Sequence, residues 1–165
     1  MAMIPLLVKE MEQEAQTTRK MLSIIPNDKF DWRPHPKSMT IRSLSTHIAE
    51  LPTMITLAVT TDVLDFGGGD FKQEVLNNRE EVLSFFEKAL EDSKAQLSVT
   101  PEERLEEEWT MRNGDEIYFT MTKAEVIRMI FCQIVHHRAQ LGVFLRLLDI
   151  PIPGSYGPSA DEMGL

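Results

Sequence analysis

Ile4, Leu7, Val8, Met11, Ala15, Leu22 and Ile25 recur at the spacing of one helical face. Three later stretches of the chain show the same period. Long amphipathic helices must bury their apolar stripes against one another, so this pattern limits the chain to helix-on-helix packing. The first segment predicts a helix from about Ile4 to Ile24, with Pro5 tolerated in its first turn and Pro26 closing it. A second begins near Thr40 and runs to about Asp62, with Pro52 inside it as an expected kink. A third spans about Leu76 to Leu97, after the Gly67-Gly68-Gly69 break. The last runs from about Lys123 to Leu148, behind a Thr122/Glu125 capping box.

The intervening segments are less regular. Thr100-Pro101-Glu102-Glu103 reads as a second capping box that opens a short acidic helix. Trp109 to Phe119 alternates loosely around Asn113-Gly114, a hairpin signal, but two strands with no sheet to join are marginal. The tail from Pro151 to Pro158 cannot be helical and is expected to fold back over the helices. The expectation is one all-α domain over residues 1–165: a four-helix bundle with long interhelical loops and an irregular C-terminal tail. The loop lengths leave the order of the helices open.

Composition sets outer bounds. With 42% hydrophobic and 26% charged residues the chain matches an ordinary globular domain. A net charge of -9 argues against binding nucleic acid or an anionic membrane. Cys132, the single cysteine, cannot form an intrachain disulfide, and the start Met1-Ala-Met-Ile-Pro5 lacks the character of a signal peptide. No apolar run is long enough to cross a bilayer, so the expected setting is the cytoplasm.

The histidines point towards chemistry. On a wheel of about 100° per residue, Ile130, Leu141, Phe144 and Leu148 fall within about 40° of His137, which places it in the middle of a core face. Gln133 lies about 40° to the other side, one turn earlier, and His136 about 100° away. On the second helix Leu51, Met54 and Ala58 lie within about 40° of His47, with Glu50 one turn on. Two helices thus each aim an imidazole into the interior. Neutral imidazoles with an amide oxygen are a donor set for zinc or nickel, and Glu50 is placed to orient His47 or to take a proton. The alternative that the pattern leaves open is a set of hydrogen-bonded core side chains. Met54, Met121 and Met129 suggest a deformable lining. Trp32 and Trp109 suit either a pocket mouth or the core, and Cys132 and His35 lie away from the site.

Three passages carry a family resemblance: Trp32 through His47, Val135-His-His-Arg-Ala-Gln-Leu141, and Pro153-Gly-Ser-Tyr-Gly-Pro-Ser159. Together they resemble the DinB-like (DNA-damage-inducible, YfiT-type) family over nearly the whole chain. The resemblance implies a four-helix bundle, usually paired into homodimers, with a divalent metal held near one end by three histidines. His47 matches the ligand on the second helix and His137 the second ligand on the last. The remaining ligand position, one turn before His137, holds Gln133 here, a neutral and weaker donor. That leaves a weakened site, recruitment of His136, or loss of the ion; occupancy at modest affinity is the reading favoured here.

The function so implied is a metal-dependent hydrolase or a low-molecular-weight-thiol transferase acting on a small electrophile. The alternative is a non-catalytic dimeric binding module, or a stress-related regulatory one, with a degenerate metal site. Arg138 and Gln140 are expected to bond to neighbouring helices or to a partner subunit rather than to substrate.

Overall fold

The computed structural model describes residues 2–69 and 74–164. Among them are four long helices: α1 (Ile4–Ser23), α2 (Ile41–Thr60), α3 (Arg79–Val99) and α4 (Lys123–Leu147). Each boundary has a local cause. Met3 and Ile4 donate their backbone N–H groups to the Glu102 carboxylate, 2.9 and 3.0 Å away, so a residue far along the chain caps α1. Glu102 is therefore occupied elsewhere, and the Thr100 box expected from the sequence does not form. Thr100 donates its hydroxyl to Gln96 O instead, and residues 102–106 make only a 3-10 turn. Thr40 caps α2 by accepting from Ser43 N at 3.1 Å, and the helix runs unbroken through Pro52. Asn78 caps α3, which starts three residues later than the apolar pattern suggests. The Thr122/Glu125 capping box opens α4 as expected.

The helices do not pack in chain order. α1 packs against α3 and α4, and α2 likewise packs against α3 and α4. Consecutive helices α1 and α2 therefore face each other across the bundle, as do α3 and α4. Two buried apolar clusters fill the interior. One gathers Leu7, Met11, Leu51, Ile55, Trp109, Ile127 and Ile130. The other gathers Leu22, Ile25, Phe30, Leu44, Ile48, Phe86 and Leu141.

The expectation of an all-α chain needs correcting. Strands β1 (Val63–Asp65), β2 (Glu108–Asn113) and β3 (Glu116–Thr122) form a small sheet in the order β1-β2-β3. β2 and β3 are the hairpin that the sequence hinted at. Its two-residue loop is Gly114-Asp115, and Gly114 takes the positive φ of 59° that such a turn requires. β1 supplies the missing partner: Val63 lies opposite Thr110 and Leu64 opposite Met111 in a parallel pairing. Asp65 fastens the arrangement by accepting from Gly67 N and Gly114 N, each at 2.9 Å. Trp109 is fully buried beneath the sheet and donates its indole N–H to Thr61 Oγ1 at 3.1 Å, so it is a core residue.

Candidate functional site

The α2 register is set by Ile41, Leu44, Ile48, Leu51 and Ile55, all buried, which carry His47 and Glu50 to the edge of the same face. On α4 the buried set is Ile127, Ile130, Ile134, Arg138, Leu141 and Leu145. Its centre lies nearer Ile134 and Arg138 than His137. The wheel reading is thus corrected: His137 is half-buried at the margin of the core face, and Gln133 and His136 are exposed beyond it. The apolar residues around His137 are only part of the stripe, and Arg138 belongs to its centre.

From those margins His47 and His137 meet. Their ring centroids lie 4.6 Å apart with the planes at 79°, an edge-to-face contact between α2 and α4. The His136 ring follows at 4.8 Å from His137. Glu50 Oε1 lies 3.6 Å from His47 Nδ1. His137 Nδ1 is 2.9 Å from Gln140 Oε1. A carbonyl acceptor there requires the proton on Nδ1 and leaves the Nε2 lone pair free. Burial holds the His137 pKa below its ordinary 6.5; the neighbouring His47 and His136 add to this, and the Gln140 bond opposes it. His137 is therefore neutral at pH 7, the form that ligates.

The histidine pair also lies at a different level of the bundle from the one the resemblance implies. His47 falls between Leu44 and Leu51, and His137 between Ile134 and Leu141, at the seam between the two apolar clusters rather than at one end.

A pocket of about 440 Å³ opens beside the pair, between α2, α4, β2 and the turn after β1. His47, Glu50 and Gln133 are on its wall, together with Met39, Met54, Met111 and Met129. Met54 and Met129 were legible as lining, whereas Met121 packs into the core. Met39, Phe66 and Met111 were missed, because only the sheet and the loop before α2 bring them to the pocket. Glu50 is buried at 7% exposure, an uncommon place for a carboxylate, and no lysine or arginine among the described residues pairs with it. Neither tryptophan lines the pocket: Trp32 meets Phe144 edge-on at 5.9 Å. Cys132 is exposed. His35 is exposed and accepts from Lys37 N through Nδ1.

Among the described residues no three His, Cys, Asp or Glu side chains converge on a common point as metal ligands do. Two imidazoles, one of them held neutral, with a buried carboxylate and an amide nearby, nonetheless match the chemistry of a divalent-ion donor set.

Arg138, beside the histidines, has another task. At 2% exposure it donates to Glu14 Oε2 at 2.7 Å, to Thr18 Oγ1 at 3.1 Å and to Tyr156 Oη at 2.9 Å. Tyr156 in turn donates to Glu14 Oε1 at 2.8 Å, so the network ties α1, α4 and the tail together. Arg138 thus bonds to a neighbouring helix as expected, whereas Gln140 bonds within its own helix, to His137.

The model of the DinB family matches residues 2–164. No curated protein matches the chain. Among solved structures, a DinB-like protein from Bacillus subtilis is 16% identical, with a TM-score of 0.70 over 91% of this chain and 96% of its own. YfiT from Bacillus subtilis, described as a probable metal-dependent hydrolase with an unusual four-helix bundle topology, is 11% identical with a TM-score of 0.65, covering 90% of this chain and 89% of its own. A mycothiol-dependent maleylpyruvate isomerase is 15% identical with a TM-score of 0.58, covering 84% of this chain and 60% of its own. At these identities the likeness concerns the fold.

Proposed function

The chain belongs to the DinB family, and from that premise we propose that it is a divalent-metal-dependent enzyme acting on a small electrophilic substrate in the pocket beside His47. The observation that carries this reading is the contact of two imidazoles from different helices, their centroids 4.6 Å apart, one of which, His47, is on the pocket wall. His47 and His137 are the ligands. Gln133 offers its carbonyl oxygen from the position one turn before His137, and His136 is the alternative donor. Gln140 is a positioning residue that fixes the His137 tautomer. Glu50 orients His47 or receives a proton from the attacking group. A zinc or nickel ion held there supplies Lewis acidity towards the electrophile and lowers the pKa of water or a thiol. Described activities among the structural neighbours include probable hydrolysis and a thiol-dependent isomerisation. The corresponding activities here are hydrolysis and transfer of a low-molecular-weight thiol. No helix among the described residues is long and apolar enough to cross a membrane. The setting proposed is the cytoplasm, with the chain as a homodimer.

The test is a zinc and nickel titration of the purified chain against a His47→Ala, His137→Ala double variant. One ion per chain, lost in the double variant, is expected; equal binding by both proteins overturns the metal reading. A second reading, a dimeric binding or regulatory module, is favoured by the absence of a third converging ligand among the described residues. Hydrolytic or thiol-transfer turnover that tracks metal occupancy separates the enzyme from that module.

A further inference from the structure

The pocket is unevenly furnished. Met39, Met54, Met111 and Met129 line it together with Leu51 and Ile130, and among the described residues no lysine or arginine does. Thioethers are soft and adaptable and wrap an apolar body of variable shape. A cavity of about 440 Å³ is within the range that encloses a small organic molecule. Among the described residues the one carboxylate on the wall is Glu50. His47 Nδ1 is 3.6 Å from its carboxylate, beyond hydrogen-bonding distance, and no donor among the described residues bonds to its side chain. Neither Glu50 oxygen is sealed from solvent in the way that Thr46 Oγ1 is. Glu50 therefore offers the pocket open acceptor sites that a donor on a bound molecule can take.

Resting on the reading of this pocket as a small-molecule site, we propose that it binds compact apolar amines and amides, with the N–H group bonded to Glu50 and the apolar body among the methionines. The specificity follows from the same residues. An ammonium gains a charge-assisted bond to Glu50 and a favourable environment of sulfur atoms and the Phe66 ring. A carboxylate meets the like charge of Glu50, and no lysine or arginine among the described residues lines the pocket to offset it. Glu50 is thus the specificity-determining residue, selecting N–H donors and rejecting acids.

The experiment compares three probes that share one apolar body: 2-phenylethylamine, 2-phenylethanol and 3-phenylpropanoate. Each is titrated calorimetrically into the purified full chain, as isolated and after chelator treatment, at about pH 8, where alkylamines are charged and imidazoles neutral. The amine is expected to bind at least about tenfold more tightly than the acid, with the alcohol between them. Glu50→Gln should bring the amine and the acid to within about threefold while the alcohol is unchanged. Gln133→Lys, at an exposed position where folding is not at stake, should swing the preference towards the acid. An acid that binds as tightly as the amine, an amine preference that survives Glu50→Gln, or no binding of any probe overturns the inference. Amine preference in a chain that takes up no zinc supports this inference and sinks the metal reading. Zinc uptake without amine preference does the reverse.

Discussion

Arg138 sits at the centre of the α4 core face, where a helix in a bundle ordinarily places Leu or Ile. Its charge is tolerated because Glu14, Thr18 and Tyr156 occupy its donors. Removing it strands the half-hidden Glu14 carboxylate. Arg138→Met is expected to lose about 3–5 kcal/mol in urea denaturation, whereas Arg138→Met with Glu14→Leu recovers much of that. From sequence Arg138 is expected to bond to a neighbouring helix or a partner subunit, but its partners are remote and no local spacing names them. The same limit misplaced His137: a wheel orders directions around a helix but cannot fix which direction is inward once an arginine shares the core stripe. What was legible is the approach of His47 to His137. Restoring an imidazole by Gln133→His should tighten zinc binding on the order of tenfold, about 1.4 kcal/mol, in a competition titration. Unchanged affinity would show that this position does not reach the ion.

The four helices were legible because their signals are local: a period of 3.6, a cap before, a proline or glycine after. The sheet was not. β1 is three residues long and pairs with a strand more than forty residues on, so only the fold tells it apart from a loop. The tail is the element whose attachment depends most on charge. Asp161 accepts from Arg146 Nη1 and from Ile152 N, each at 3.0 Å, and these bonds hold its pKa at about 2, below the ordinary 3.8. A carboxyl depressed on folding adds stability above its unfolded pKa and loses it as pH falls through the folded one. The tail is therefore expected to loosen between about pH 4 and 2. Asp161→Asn should lower the melting temperature near neutrality and flatten the acid limb of the profile. A variant with the parent's acid limb would show that the Arg146–Asp161 contact contributes nothing to holding the tail.

At the level of the whole molecule, the proposed homodimer predicts a mass of twice 18.9 kDa by light scattering at micromolar concentration, and a monomer there contradicts it. The bundle's diagonal order has a further consequence. Every extensive helix contact, α1 with α3, α1 with α4, α2 with α3 and α2 with α4, joins the first half of the chain to the second. The β1–β2 pairing and the His47–His137 contact do the same. A chain cut after Gly69 would yield two pieces, neither holding a helix interface of its own. Each should be unstructured alone by circular dichroism, and the two should fold on mixing into a complex that regains zinc binding. The protein is in effect two complementary strangers joined by a glycine-rich tether, a natural split reporter whose readout is the meeting of His47 with His137.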